Sequence, residues 1–459
     1  MARNEVLRDK FFYKSVLQIM VPVALQQAIN MGVNMMDTVM LGSFGDAVLS
    51  ASSLANTFYN LFTILCMGIV GGCSVLAAQY WGAGSKGKVR DTFNLGLRLA
   101  AGLALVFSVV TFLFPGQIMA LYSKESDVIA DGMRYLKITA WIYIFHGTSQ
   151  VGAILMRSVK KPQLGLYVSI ISFVVNIGAN WIFIFGHFGA PAMGIAGAAL
   201  GTLIARIVEF IATFVYIFCI DRSLMLRPIH LLKRPTKETM FNYRRLGAAA
   251  LVSDGLLGLG MNVLSGILGR MGSAVVSANA VCMVVDRLFT VVVAGVGNAS
   301  SVIVGNTIGA GQKEKALKQG EAFYILAVGF GIISSILLAL FGELTIGLYN
   351  LKPETVVLAE EMMLAYAVVV LFQSVQTIMT KGVLRGGGDT KFLLVADVLF
   401  MWLVSLPLGY VVGVILKAPA WLTIICLRSD YVIKSVWCLG RLRSGKWIRE
   451  TQTLELAAN

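Results

Sequence analysis

Charge is scarce in this sequence. Lys, Arg, Asp and Glu together make up 14% of its 459 residues, whereas about 25% is usual for soluble domains. Hydrophobic residues reach 57%, and the mean hydropathy is +0.78. This composition excludes an ordinary water-soluble globular protein, because the surface of such a protein needs more charge than the chain contains.

Cysteine and histidine are also sparse, with six and three residues. The cysteines stand singly inside apolar stretches, and neither a C-x-x-C pair nor a Cys/His cluster occurs. Disulfide frameworks and zinc sites are therefore not predicted, and no metal site is assigned. No nucleophile–base set or phosphate-binding loop emerges either, so we expect neither an enzyme nor a cofactor.

Long apolar runs are what the sequence does contain. About 20 residues in a helix cross a hydrocarbon core of about 30 Å, whereas barrel strands would be ~10 residues with alternating polarity. The sequence predicts an all-α integral membrane protein with twelve transmembrane helices. The segments lie at 14–41, 50–80, 92–114, 126–154, 163–186, 193–220, 244–269, 275–308, 320–342, 355–383, 392–416 and 418–438.

The net charge of +14 comes from basic residues at particular places. They are concentrated at the N-terminus and after each even-numbered segment, as with Lys86, Lys88 and Arg90 after the second. Connections after odd-numbered segments contain few of them. This pattern follows the positive-inside rule, with both termini in the cytoplasm, and indicates membrane orientation rather than binding to nucleic acid.

The chain contains an internal repeat. "GAGSKGK" begins at Gly82 and "GAGQKEK" at Gly309, an offset of 309 − 82 = 227, and "SASSLANTFYNLFT" lies on "SANAVCMVVDRLFT" at the same offset. Six segments repeating as six predict two parallel bundles related by a pseudo-twofold axis along the membrane normal, with the substrate site between them. The predicted divisions are an N-terminal bundle, a basic cytoplasmic linker, a C-terminal bundle and a cytoplasmic tail, at 1–220, 221–243, 244–440 and 441–459.

The first segment carries a polar stripe. Gln27, Asn30, Asn34 and Asp37 are spaced by 3, 4 and 3 residues, so they share one helix face. A charge at the bilayer centre costs ~2.5–3.5 kcal/mol or more, so such residues face the bundle interior or a wet cavity. The alternative is that the helix ends near Met40 and that Asp37 lies at the membrane interface. A carboxylate whose surroundings change between outward and inward states can take up a proton on one side and release it on the other.

Other segments carry polar residues at helical spacing. Asn176 and Asn180 lie on one face of the fifth segment, either as interhelical hydrogen-bonding groups or as part of coupling. Asp430 and Lys434 are four residues apart in the last segment, which indicates a structural pair. His146 and Gln150 are likewise four apart, a spacing more typical of a hydrogen-bonded core than of a proton relay.

Several motifs, in their order within the repeat, resemble the multidrug and toxic compound extrusion (MATE) family. They are "MDTVMLG", "AAQYWGAG", "ILMRSVKKP", "VVNIGANWIFIFGHFGAPAMGIAGAALGT" and "VLRGGGDT", and the similarity covers about 14–440. The resemblance implies export of organic, often cationic compounds by alternating access, driven by inward H⁺ or Na⁺. It also implies a bacterial inner membrane, a monomer, small lipophilic or cationic substrates and contact with membrane lipids.

The resemblance also implies roles for individual residues. Asp37 stands where the family has its coupling aspartate, while Asn180 replaces a second carboxylate of one branch and can hydrogen-bond Asp37 without titrating. Asp254 matches a glutamate that supports cation binding in another branch, but Ser374 stands where that branch has an aspartate. A sodium site would therefore be incomplete, which favours H⁺. The predicted ion-coupling residues are Asp37, Asn176, Asn180 and Asp254.

Methionines and aromatic rings near these polar groups suit a cavity for lipophilic cations. The predicted substrate-binding residues are Gln27, Asn30, Met31, Asn34, Asp37, Tyr59, Asp254, Met261, Met283 and Gln373. One alternative is a flippase for a lipid-linked precursor, although the mid-membrane charges noted above are mainly acidic. Another is a receptor or channel that does not transport against a gradient. The major facilitator family shares the six-plus-six design, but its basic D-R-x-G-R-R loop is absent.

Overall fold

A computed structural model describes residues 9–347, 352–449 and 451. Of the described residues, 87% are helical and none lies in a strand. In the described part of the chain, ten helices are long and apolar enough to cross a membrane. The prediction of an all-α multi-pass membrane protein is confirmed.

Residues 9–220, up to the end of the sixth predicted segment, contain eight α-helices. They are α1 (Lys10–Gly42), α2 (Asp46–Gly82), α3 (Lys86–Leu113), α4 (Pro115–Ala120), α5 (Ser126–Thr139), α6 (Ile142–Ser158), α7 (Gln163–Phe185) and α8 (Ile195–Val215). A 3-10 turn at His187–Gly189 follows α7, and a π-helical turn at Tyr216–Ile220 extends α8.

The second half begins after two short linker helices, α9 (Pro228–Leu232) and α10 (Lys237–Asn242). Its longer helices include four π-helical stretches, at Tyr243–Gly247, Ile378–Leu384, Val398–Ser405 and Val411–Ile415. The α-helices are α11 (Ala248–Met271), α12 (Ser273–Gly309), α13 (Lys313–Ile346), α14 (Pro353–Thr377), α15 (Thr390–Asp397), α16 (Leu406–Tyr410), α17 (Ala420–Leu427) and α18 (Ser429–Arg443).

Two of the twelve predicted segments are broken, which explains why ten helices rather than twelve are individually long enough to span. The fourth segment consists of α5 and α6, separated at Ala140 and Trp141. The twelfth consists of α17 and α18, separated at Arg428, whose φ of −110° and ψ of 11° depart from helical values. Charge and irregular backbone therefore coincide in the last segment.

The chain divides into two compact units. The N-terminal unit comprises Leu25–Ala77 and Ser85–Tyr243, and the C-terminal unit comprises the stretch ending at Ala24, Ala78–Gly84 and the chain from Arg244 onward. The boundary at Arg244 coincides with the predicted end of the linker. The assignment of bundles, linker and tail remains a prediction, and residues 450 and 452–459 of the tail lie outside the described residues.

The linker packs on α3 within the N-terminal unit. Arg90 Nε donates to the carbonyl of Leu224 over 2.7 Å, and Lys88 pairs with Glu238 over 2.7 Å. At the start of the linker, the buried side chain of Asp221 pairs with Lys161 and accepts from the backbone N–H of Leu224 over 3.0 Å. These contacts hold the linker against the bundle that precedes it.

The repeated GAG loops meet within the C-terminal unit. A Cβ on Gly82 would overlap the backbone carbonyl of Asn306, and a Cβ on Gly309 would overlap that of Gln79. Since 306 − 79 equals the repeat offset 309 − 82 = 227, the contact is reciprocal. Glycine is required at both positions because the backbones touch, a small-residue packing common in membrane helices.

Candidate functional site

The polar stripe of α1 lies in the N-terminal unit. Gln27, Asn30 and Asn34 have exposed side chains, while Met31 and Asp37 are half-buried. α1 continues five residues past Asp37 to Gly42. The stripe therefore presents amide groups to accessible space, and its carboxylate lies inside the helix rather than at its end.

Asp37 belongs to a chain of hydrogen bonds that links α1 to α7 and α8. Asn180 Nδ2 donates to Asp37 Oδ1 over 2.6 Å, and the same amide is 3.4 Å from Asn176 Oδ1. Asn176 Nδ2 in turn lies 3.5 Å from Thr202 Oγ1. Asn180 is fully buried and Asn176 nearly so. The structure thus brings together three of the four predicted coupling residues.

The side chain of Asn180 fits against a glycine of α8. A Cβ added at Gly201 would overlap Asn180 Oδ1. That oxygen is buried and has no hydrogen-bond partner among the described residues. The Asn180 amide therefore donates its N–H to Asp37, and its free oxygen, Oδ1, could accept a hydrogen bond from a protonated Asp37.

Two charged residues on α8, Arg206 and Glu209, were not predicted from the sequence to be functional. Arg206 pairs with Glu209. Glu209 Oε1 also lies 3.9 Å from His146 Nδ1, and His146 Nε2 is 3.3 Å from Gln150 Nε2. The sequence did contain a signal for this pair, because Arg206 and Glu209 are three residues apart in an otherwise uncharged segment. Charged residues inside a membrane segment are usually functional.

Tyr59, a predicted substrate contact, lies beside this charged group. Its ring centroid is 5.5 Å from that of His146 and 5.9 Å from that of Tyr143. The aromatic wall and the Arg206–Glu209 pair therefore belong to one region of the N-terminal unit.

In the C-terminal unit, the predicted coupling residue Asp254 is engaged in an ion pair. Its Oδ2 is 2.6 Å from Arg385 Nη2, and both side chains are mostly buried. The neighbouring Ser253 donates to Asp397, which also pairs with Lys434 over 2.8 Å. The predicted pair of Asp430 and Lys434 is confirmed at 3.1 Å.

Met261, another predicted substrate contact, lies against the buried Arg428. Arg428 Nη1 is 3.4 Å from Met261 Sδ and 2.6 Å from the hydroxyl of Tyr431. Gln373 Nε2 donates to Asp286 Oδ2 over 3.1 Å. Met283 lies on α12, where its sulfur accepts from Asn279 Nδ2 over 3.4 Å.

A small cavity lies beside Asp254. Among the residues that line it are Ser253, Asp254, Thr380, Thr390 and Asp397. Thr390 is 1% exposed, and its hydroxyl has no hydrogen-bond partner among the described residues. No three His, Cys, Asp or Glu side chains in the described part of the chain are grouped to hold a metal ion.

The carboxylates differ in what balances their charge. Asp254 and Asp397 contact cationic side chains directly, whereas the hydrogen-bond donor on Asp37 is a neutral amide. A carboxylate held by a cation resists protonation, and one held by an amide can gain or lose a proton without leaving an unpaired cation. The contacts of Asp37, unlike those of Asp254 and Asp397, therefore permit a change of charge.

Comparison with known proteins adds an independent finding. A family model described as MatE matches residues 22–182 and 252–411. The uncharacterized transporter YisQ of Bacillus subtilis is 22% identical over 446 residues, which cover 96% of each chain. The probable multidrug resistance protein NorM of Bradyrhizobium diazoefficiens is 26% identical, with 89% of this chain and 87% of that protein covered. The multidrug resistance protein MdtK of Yersinia enterocolitica is also 26% identical, with 87% of each covered.

Solved structures share the fold. A MOP superfamily transporter from Pyrococcus furiosus, whose binding pocket is reported to have reversed polarity, superposes with a TM-score of 0.85 at 15% identity. An outward-facing MATE transporter superposes with a TM-score of 0.84 at 16% identity. Each match covers 97% of this chain and 99% of the other. At these identities the likeness concerns the fold.

Proposed function

The chain belongs to the MATE family of membrane transporters, and on that premise we propose that it is a proton-driven antiporter that exports lipophilic, often cationic small molecules. In this proposal Asp37 carries the coupling proton. The protein works in a bacterial inner membrane as a monomer, with both termini in the cytoplasm. The two bundles expose the substrate site alternately to the two sides of the membrane.

The observation that carries the proposal is the bond between Asn180 Nδ2 and Asp37 Oδ1, at 2.6 Å. Ionised Asp37 accepts from the amide, and protonated Asp37 can donate to the amide oxygen, which has no other partner among the described residues. Both protonation states therefore have a hydrogen bond available. Because a buried carboxylate loses its hydration, such a bond is needed in each state if the cycle is to run through both.

The substrate class follows from charge and polarity near Asp37. Exposed amides on α1, the half-buried Met31 and the ring of Tyr59 lie in the same unit as the carboxylate. An acidic group near apolar, polarizable side chains attracts lipophilic cations through charge and cation–π contact. A cation and a proton that compete for Asp37 are exchanged rather than moved together. In the C-terminal unit, Asp254, Met261, Met283 and Gln373 are the proposed substrate contacts.

Protons are favoured over Na⁺ by the surroundings of Asp254. Sodium needs several oxygen ligands, but the Asp254 carboxylate is 2.6 Å from the Arg385 guanidinium. Ser374 offers a hydroxyl where the sodium-binding branch has a carboxylate. A cation site there would have to displace a buried ion pair, which is costly.

The test is efflux of ethidium, a lipophilic cation, from loaded proteoliposomes under an imposed pH gradient, with and without Na⁺. We expect an inward proton gradient alone to accelerate efflux, and Asp37→Asn to abolish that acceleration. The matched control is Asp127→Asn, which changes an exposed carboxylate. Acceleration by inward Na⁺ alone would contradict proton coupling, and no response to either ion would direct attention to the translocation of lipid-linked precursors.

A further inference from the structure

Asp286 is a buried carboxylate on α12, and its one hydrogen-bond donor among the described residues is a neutral amide. Gln373 Nε2, from α14, donates to Asp286 Oδ2 over 3.1 Å, while Oδ1 is buried and has no partner in the described part of the chain. Neither the exposed Arg287 nor the buried Arg428 forms an ion pair with Asp286. A carboxylate in such a place binds a proton in preference to staying charged, because the ion has lost its hydration and gained no counter-ion.

The buried charges around the break in the last segment leave one carboxylate unbalanced. Lys434 lies 2.8 Å from Asp397 and 3.1 Å from Asp430, so two acids share one cation. Arg428 is buried two residues before Asp430 and interacts more strongly with Asp430 than with Asp286. Its charge therefore offsets the excess acid beside Lys434. Among the described residues of this group, Asp286 is the carboxylate that remains without a balancing cation.

The other groups packed around Asp286 are neutral or already paired. The titratable side chains that interact with it are uncharged at neutral pH, and they are Cys282, Tyr366 and Tyr431. On α11, Asp254 is paired with Arg385 over 2.6 Å. The neighbouring helix α13 contributes the neutral hydroxyl of Ser334. None of these groups supplies a positive charge for ionised Asp286.

The donor to Asp286 is the same kind of group as the donor to Asp37. In the N-terminal unit the amide of Asn180 donates to Asp37 over 2.6 Å, and in the C-terminal unit the amide of Gln373 donates to Asp286 over 3.1 Å. A neutral amide stabilises an ionised carboxylate without fixing its charge, since protonation leaves no unpaired cation behind. Each unit thus contains a carboxylate that accepts from an amide on a neighbouring helix.

The internal repeat places Asp286 at the counterpart of a proposed substrate contact. At the repeat offset Tyr59 corresponds to Asp286, because 286 − 59 = 227. His146 corresponds to Gln373 in the same way, because 373 − 146 = 227. Both pairs are in contact, with 5.5 Å between the ring centroids of Tyr59 and His146 and a hydrogen bond between Asp286 and Gln373. The half-buried Gln373 and Met283 are themselves proposed substrate contacts, so a cation held by them would lie beside Asp286.

We propose that Asp286 is a second proton-binding site, in the C-terminal unit, where a cationic substrate replaces the proton. Before substrate binds, the carboxyl group is neutral and carries its proton on Oδ1. When a lipophilic cation reaches Gln373, the proton leaves to water as hydronium, and ionised Asp286 balances the charge of the substrate. This inference rests on the proposed proton-driven antiport and deepens it, because the exchange of one substrate then involves two protons, one at Asp37 and one at Asp286.

The first measurement asks whether Asp286 carries a proton before substrate binds. Infrared spectra of the detergent-solubilised full-length protein at neutral pH, in light and in heavy water, show the C=O stretch of a protonated carboxyl group, which a carboxylate lacks. We expect a band in the wild type that is missing in Asp286→Asn. The matched control, Asp127→Asn, changes an exposed carboxylate and should keep the band. Identical spectra of the wild type and Asp286→Asn in this region would overturn the proposal.

The second measurement counts the protons released when ethidium binds to the same protein. Calorimetric titration in buffers of different ionisation enthalpy gives this number. We expect about two protons for the wild type and about one for each of Asp37→Asn and Asp286→Asn, by proton linkage. Asp286→Glu retains the acid and should keep the wild-type count.

The outcomes separate this inference from the function on which it rests. Release of about one proton by the wild type, lost in Asp37→Asn and unchanged in Asp286→Asn, overturns the second site and leaves proton-driven antiport standing. Release of none by the wild type overturns both. If Asp286 had only a structural role, Asp286→Asn would lower the thermal midpoint without changing the number of protons released.

Discussion

Asn180 donates a hydrogen bond to Asp37 over 2.6 Å and so joins α7 to the only acidic residue between Lys10 and Gly45. We expect Asn180→Ala to lower proton-driven efflux by about tenfold or more, since a hydrogen bond to a charged group contributes about 1.5–3 kcal/mol. The initial rate of ethidium efflux measures this. Asn262→Ala, which removes an exposed amide, should leave the rate unchanged. An unaltered rate in Asn180→Ala would rule out a role for this bond.

Gly201→Ala should act through Asn180. The new methyl group would overlap Asn180 Oδ1 and push the amide away from Asp37. We expect a loss of efflux in the same direction as for Asn180→Ala, and little further loss when the two are combined, because both remove one interaction. Gly178→Ala is the control, as nothing lies within 4 Å of a Cβ at that position. If the losses of efflux in Gly201→Ala and Asn180→Ala add up in the double variant, Gly201→Ala does not act through Asn180.

Removing one charge of the Arg206–Glu209 pair should destabilise the protein more than removing both. Each single change, Arg206→Met or Glu209→Leu, leaves a mostly buried charge unpaired and should destabilise the protein by about 3–5 kcal/mol. The double change should recover much of that loss. Thermal unfolding in detergent, arranged as a double-mutant cycle, gives the coupling energy. Equal and additive effects would contradict a direct pair.

The glycine crossing predicts a strong steric effect. Gly82→Ala and Gly309→Ala place a methyl group on the backbone of Asn306 and of Gln79, and each should lower the thermal midpoint markedly. Gly102→Ala, in α3 with open space around its Cβ, should be neutral or stabilising by up to about 1 kcal/mol. Similar midpoints for Gly82→Ala and Gly102→Ala would refute the close approach.

The linker predicts an acid-dependent stability. Burial by itself raises the pKa of Asp221, but the hydrogen bonds from Lys161, Leu224 and Ser223 together lower it by a larger amount. The pKa of Asp221 therefore lies below its ordinary value. The stabilisation is therefore present above about pH 4 and is lost as the pH falls through the native pKa. Asp221→Asn should lower the thermal midpoint at neutral pH and weaken its decline in acid. If the thermal midpoint of Asp221→Asn falls in acid as steeply as that of the wild type, groups other than Asp221 cause the decline.

The sequence alone identified polar side chains that share a face of one helix, but not side chains from different helices that meet through tertiary packing. The spacing of Asn176 and Asn180 indicated one face of a helix, and the structure places that face against Asp37 as the resemblance implied. Hydrophobic run lengths located the spans because bilayer thickness dictates them. The break at Arg428 was not apparent, because an apolar run looks the same whether its backbone is continuous or interrupted.

The ionic contacts of the C-terminal unit show where sequence reasoning stops. Asp430 and Lys434 could be paired from their spacing, but Asp397 lies on another helix, 37 positions before Lys434 (434 − 397 = 37). The sequence left Asp254 available to bind a cation, whereas in the structure its carboxylate lies 2.6 Å from the Arg385 guanidinium. Which charges neutralise one another depends on helix packing, and no periodicity in one helix encodes it.

The reciprocal contact of Gly82 with Asn306 and of Gly309 with Gln79 has a consequence for ancestry. A motif that touches its own copy is the hallmark of an isologous interface in a twofold-symmetric dimer. A six-helix ancestor with one such glycine would have made this contact twice when two copies met. Duplication and fusion of such an ancestor would make the contact intramolecular, with each glycine packed against the backbone of the other repeat.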